Sequence, residues 1–130
     1  MHEFRKAVEA GDVDAAIALL ADDVVFVSPV AHKPYTGRAI TAAIIRGVFR
    51  VFEDFRYVSE FDGADGREHA LLFKTRVGDR EIDGCDFLRV DGHGKIVELM
   101  VMVRPLSGAN ALAEAMGAQF DRIEREARAG

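Results

Sequence analysis

Residues Ile82–Val90 and Lys95–Val103 are two apolar, β-branched runs separated by the turn Asp91-Gly92-His93-Gly94. Two glycines in a four-residue turn between such runs form the strongest hairpin signal in the chain, and they commit this region to an antiparallel sheet. Strand side chains alternate between faces, so Asp86 shares its face with Leu88 and Val90 and is carried into the interior with them. An unpaired carboxylate there is costly, which makes Asp86 the first residue whose presence needs a chemical reason. Its neighbour Cys85 falls on the opposite face, where it reads as a small buried hydrophobe and not as a nucleophile.

Upstream, the spacing of Phe4, Ala7 and Val8 predicts a helix over Glu3–Ala10, stopped by Gly11. Asp12 caps a second helix carrying Val13, Ile17 and Leu20 and ending near Ala21-Asp22-Asp23. Val24–Val27 reads as a short strand ended by Pro29, placed at a sheet edge. Val30–Gly37, with Pro34 and no period, is a loop of the kind that lines sites. From Arg38 the steps Ile40, Ile44, Val48 and Val51/Phe52 are helical. Ile45 and Phe49 widen that apolar face, so this helix is expected to lie across the sheet and be covered on two sides.

Phe55, Tyr57, Ser59 and Phe61 alternate along a further strand, Asp62–Gly66 turns the chain, and Leu71, Phe73, Thr75 and Val77 share one face of the next. Gly78-Asp79 then makes a tight hairpin into the Ile82–Val90 strand, which completes a four-stranded meander. Strands of about ten residues, roughly 33 Å if straight, are too long for a small flat sheet. Curvature is expected at Gly84. Pro105 ends the sheet, and Ser107 caps a last helix with Leu112, Met116, Phe120 and Ile123 on one stripe. The tail beyond Glu124 has only alanine as an apolar residue and is expected to be solvated and to fray. The fold class is α+β, a cone-shaped curved antiparallel sheet of four meander strands plus a short edge strand, wrapped around helices in one domain over 1–130.

A chain of 130 residues that is 49% apolar and 30% charged has the balance of a soluble globular domain. It has no apolar run long enough to span a membrane. A formal charge of −5 without clustered Lys and Arg argues against nucleic acid. The single cysteine has no internal partner and the N-terminus lacks the regions of a signal peptide, so the cytoplasm is the expected compartment. His2, His32, His69 and His93 show no ligand spacing. Neither a metal nor a cofactor is expected.

Ala10-Gly11-Asp12, Ala21-Asp22-Asp23, a strand running into Pro29, Pro34-x-x-Gly37 before a long helix, and the run from Asp86 through Asp91-Gly92 to Lys95 together resemble the nuclear transport factor 2-like superfamily. Within it the chain is similar to small SnoaL-like and ketosteroid-isomerase-like proteins. The resemblance extends over nearly the whole chain and implies the fold. It leaves the activity open, because isomerases, cyclases, dehydratases, epoxide hydrolases and non-catalytic binders share this fold. It implies that Asp86 occupies the position of the protonated oxyanion-hole aspartic acid of ketosteroid isomerases. Their helix-one tyrosine corresponds to Phe4 and their general-base aspartate to Ser28, so two of three functional groups are missing and steroid-type isomerisation is not expected. Two aspartates bridged by an arginine, the epoxide-hydrolase pattern, are not visible either.

The candidate catalytic residues are Asp86, as an acid with a raised pKa, and His32, as a loop base. Strand alternation and the resemblance assign to a pocket Phe4, Phe26, Ser28, Tyr35 and Tyr57 from the first half of the chain. His69, Leu71, Phe73, Leu88, Leu99, Val101 and Val103 join them from the sheet. Tyr35 and Tyr57 bring phenolic donors, and Tyr57, on the apolar face of its strand, needs a partner for its hydroxyl. Met100, Met102 and Arg104 alternate away from the core row. In view of the resemblance, they mark a face for a second copy of the chain. The expected function is binding of a small hydrophobic molecule whose polar end is held by Asp86. The alternatives are an isomerase, cyclase or dehydratase using Asp86 with His32 or a tyrosine, and a non-catalytic dimerisation module.

Overall fold

The computed structural model describes residues 1–130. Helices α1 (His2–Glu9) and α2 (Val13–Ala18) lead into strand β1 (Leu20–Val27), and a two-residue strand β2 (Tyr35–Thr36) precedes helix α3 (Arg38–Val51). Strands β3 (Glu53–Asp62), β4 (Glu68–Val77), β5 (Arg80–Val90) and β6 (Ile96–Arg104) follow, and helix α4 (Leu106–Ala129) closes the chain. The six strands form one curved open sheet in the order β2-β1-β6-β5-β4-β3. The α+β class and the meander stand as expected, with one strand more than the sequence suggests.

Local chemistry explains the N-terminal turns. Gly11 has φ 71°, a conformation that side chains with a Cβ resist, and it lets the Asp12 amide donate back to the Ala7 carbonyl at 2.9 Å. The Asp12 side chain then accepts from the Ala15 amide at 3.1 Å and caps α2. That helix stops at Ala18, earlier than its apolar spacing predicts, because Leu20 is taken by the sheet. It pairs with Ile96, whose amide donates to the Leu19 carbonyl at 2.8 Å.

Strand β1 is also not at the edge. It runs parallel to β6 on one side, and on the other Tyr35 and Thr36 return antiparallel to Phe26 and Val25. Part of the expected loop is therefore the true edge strand.

Gly84 has a different role from the one expected. The β4–β5 register passes through the Phe73↔Gly84 pair without a break, and the irregularities lie instead in the β1–β6, β3–β4 and β5–β6 pairings. A Cβ at Gly84 would overlap Phe73 Cζ, so the glycine makes room for the ring laid across it.

Thr41 through Ile45 and Gly47 of α3 are buried, as a helix wedged between sheet and helix requires. A Cβ at Gly47 would meet Ile123 Cδ1 at 2.9 Å, so α3 and α4 approach closely there. Pro105, not Ser107, occupies the N-cap of α4, its carbonyl accepting from the Ala109 amide. The expected frayed tail is helical through Ala129. Arg50 holds it, donating to Gln119 at 2.7 Å and pairing with Glu126 at 3.1 Å. No helix is long and apolar enough to cross a membrane.

Candidate functional site

Between the concave sheet face and the helices lies a cavity of about 410 Å³ whose lining includes 26 residues, 20 of them hydrophobic. The sheet contributes Phe26, Leu99 and Val101, and α1 contributes Phe4 and Val8. Helix α3 contributes Ile44, Ile45, Val48 and Phe49. Helix α4 closes the remaining side with Leu112, Met116 and Phe120. Phe52 and Phe55, stacked at 5.9 Å, line it beside Tyr57. A volume of this order suits a small organic molecule.

The polar end is built by strand register. Asp86 sits level with Leu71 on β4 and Val101 on β6, on the concave face that alternation predicts. Tyr57 belongs to the next row, opposite Phe73. Its hydroxyl reaches over and donates to Asp86 Oδ2 at 2.7 Å. The phenol ring meets Phe55 edge-on at 4.9 Å and lies 5.9 Å from the Arg5 guanidinium carbon. Packed on these sides, the hydroxyl is held in one position.

These surroundings separate the two acidities. Asp86 is half-buried, its accessible surface facing the cavity that it lines. Burial raises its pKa to about 6, against the lowering effect of the Tyr57 hydrogen bond. Burial also drives the Tyr57 phenol far upward, helped by the negative charge of Asp86 and by the hydrogen bond itself. At neutral pH the pair is therefore a carboxylate held by a phenol that keeps its proton. One carboxylate oxygen is used by Tyr57, which leaves Oδ1 for whatever occupies the cavity.

Of the residues assigned to the pocket by sequence, Phe4, Phe26, Ser28, Tyr35, Tyr57, Leu99 and Val101 line this cavity with Asp86. His69, Leu71, Phe73, Leu88 and Val103 do not. Leu71, Phe73 and Leu88 are on the correct face but packed shut, at 0%, 1% and 2% exposure. Phe73, for example, has the Phe55 ring 4.9 Å from its own. His69 lies at the far end of the sheet, with Nδ1 2.6 Å from Asp62 Oδ1. His32 is exposed and off the lining, because Ser28–Ala31 turns inward and Tyr35 rejoins the sheet, leaving the intervening residues outside. Cys85 is half-buried on the convex face, opposite Met102, not a core residue.

Apart from Phe4, the helix residues lining the cavity were missing from the sequence assignment. Their apolar stripes carry no sign of whether they meet protein or empty space. Glu60, Asp62 and His69 place possible ligand atoms within 4.8 Å of one another, a grouping invisible in histidine spacing. Those atoms already have partners. Glu60 takes the Met1 amine at 2.8 Å and Arg5 at 3.4 Å, and Asp62 takes His69.

The model of the SnoaL-like domain family matches residues 1–99. The chain belongs to that family. It is 44% identical to a steroid delta-isomerase from Pseudomonas aeruginosa, with 93% of this chain and 88% of that one covered and a TM-score of 0.89. It is 33% identical to a cystatin-like-fold protein from Silicibacter pomeroyi over 96% and 89% of the two chains, with a TM-score of 0.87. A putative polyketide cyclase from Pseudomonas putida, 22% identical over 82% and 90% at a TM-score of 0.68, shares the fold. No match is found among curated proteins. Phe4 offers no hydroxyl and Ser28 no carboxylate, and the lining holds one aspartate and no arginine.

Proposed function

We propose that this SnoaL-like domain binds a small apolar molecule in the cavity and fixes its polar end at Asp86, with Tyr57 orienting the carboxylate. The observation that carries the reading is an apolar enclosure whose one partly buried acid, Asp86, is hydrogen-bonded in the wall, while the other acid of the lining, Glu9, is exposed. Fluorescence titration with 2-naphthol tests it. The wild type should bind, and Val48→Trp, which places an indole in the cavity, should lose most of the affinity while melting cooperatively. Equal binding by the two proteins would remove the cavity from consideration.

A second reading is proton transfer. A carboxylate with a pKa of about 6 is suited to take a proton near neutral pH, and a 44% identical relative is called a steroid delta-isomerase. In deuterated buffer, the hydrogens next to the carbonyl of 2-tetralone should exchange faster with the wild type than with Asp86→Asn. Identical rates would leave a binding protein only. Of the two sequence-assigned catalytic residues, Asp86 alone enters this reading.

The chain also presents the convex sheet face to a second copy of itself. Helices α1, α3 and α4 line the cavity on the concave side, and the convex face carries Met102 at 52%, Phe61 at 62% and Phe87 at 37% exposure. Met100 lies between β1 and β5 in the row through Phe87. Arg104 at its margin is paired with Asp83 at 2.8 Å.

A further inference from the structure

We propose that the Ser28 hydroxyl is a second polar pole of the cavity, donating a hydrogen bond to the ligand. The ligand class is then an apolar molecule with a carbonyl-type acceptor at one end and a hydroxyl-type hydrogen, directed at Asp86, at the other. This rests on the cavity being a binding site.

Three observations meet at Ser28. Its Oγ accepts hydrogen bonds from the Val30 amide at 3.1 Å and the Ala31 amide at 3.2 Å. A hydroxyl has two lone pairs and one hydrogen, so both acceptor positions are taken and the hydrogen remains. No protein group accepts it, and Ser28 lines the cavity. The remaining hydrogen is available to an occupant, and the two amides pulling on the oxygen make it a better donor.

Register places the two poles. Val27 pairs with Met100, so Ser28 emerges level with Val101, and Val101 pairs with Asp86. Ser28 and Asp86 therefore flank one strand on the concave face, with Cα atoms roughly 9–10 Å apart at two strand spacings. The side chain between them is Val101. A donor and a carboxylate separated by an apolar strip suit a flat molecule with unlike oxygens at its two ends.

The Tyr35 hydroxyl also lacks a protein partner, but it stands on the edge strand, beyond β1 and one strand further from Asp86. Its ring is occupied by Phe26 at 6.4 Å and Phe120 at 6.3 Å.

Three naphthalenes test the assignment by fluorescence titration at about pH 7.5, where Asp86 is ionised. These are 2-naphthol, 2-acetonaphthone and 6-hydroxy-2-acetonaphthone. The bifunctional compound should bind most tightly. Ser28→Ala should weaken the two ketones about five- to tenfold and leave 2-naphthol unchanged. Ser28→Thr should retain most of the ketone affinity, and Tyr35→Phe should keep the preference for the ketones over 2-naphthol. An equal effect of Ser28→Ala on all three compounds, or loss of the ketone preference in Tyr35→Phe instead, overturns the assignment while the cavity reading survives. Failure of all three to bind the wild type removes both. If Ser28→Ala does not fold, 2-acetonaphthone labelled with carbon-13 at its carbonyl and bound to the wild type decides. A downfield shift supports donation, and a resonance at its position in hydrocarbon solvent overturns it.

Discussion

The Asp86 carboxyl holds its proton more tightly in the folded chain than in the unfolded one, with a pKa of about 6 against an ordinary 3.8. Between those values the folded state keeps a proton that the unfolded state has released, so this group's contribution to stability falls as pH rises. It is fully present below the unfolded value, lost through about pH 6, and constant above. Glu60, Asp62 and Asp83 have lowered pKa values and act in the opposite sense, their contributions fading as pH falls. A comparison with Asp86→Asn separates the two trends. The variant keeps an acceptor for Tyr57, and its stability advantage should grow between pH 4 and 6 and level off at about 1–3 kcal/mol, allowing for cavity water. Urea denaturation across that range measures it, and a difference that stays flat would show that Asp86 is solvated. Tyr57→Phe removes the hydrogen bond that lowers the Asp86 pKa. Carboxyl carbon NMR should then find its midpoint above about 6.

At the scale of elements, the β4–β5 pair depends on one glycine. A methyl group at Gly84 would overlap three ring atoms of Phe73, the furthest at 2.7 Å. The ring is enclosed by Phe52, Phe55 and Tyr57 and has little room to retreat. Gly84→Ala should cost about 2–4 kcal/mol, and much of that should return when Phe73→Leu is added. Urea melts of the two single variants and the double variant give the coupling, and simple additivity would place the cost in the backbone instead. Helix α4 depends on Ile123, which is 0% exposed against Gly47 of α3. Ile123→Ala should lose about 2–5 kcal/mol. Because Ile123 also lines the cavity, 2-naphthol affinity should fall with it.

For the molecule as a whole, the arrangement of layers leaves the sheet covered on one side. Cys85 and Met102 are opposite one another on the bare side, in the row next to Phe87 and Met100, and the proposed dimer rests on this apolar stretch. Sedimentation at micromolar concentration should find a dimer, and Met102→Glu, which sets a charge at its centre, should yield monomer. A monomeric wild type would end this reading and leave the cavity proposals untouched.

How much of this was legible follows from the range of the forces involved. Alternation is a property of adjacent residues, so the meander, the concave orientation of Asp86 and the convex orientation of Met100 and Met102 could be read from a few residues at a time. Helix stripes were legible for the same reason, including the two-sided face of α3. Pairing between distant segments was not. The parallel contact of β1 with β6 and the return of Tyr35 onto Phe26 depend on which strand edges meet after the chain has collapsed. The Tyr57–Asp86 bond joins adjacent rows of β3 and β5 across β4, and no spacing announces it. Strand alternation gave Leu71, Leu88 and Leu99 one and the same inward direction. Three-dimensional packing closed over the first two and left the third beside open space, since a cavity is the volume that three helices and a curved sheet together fail to fill.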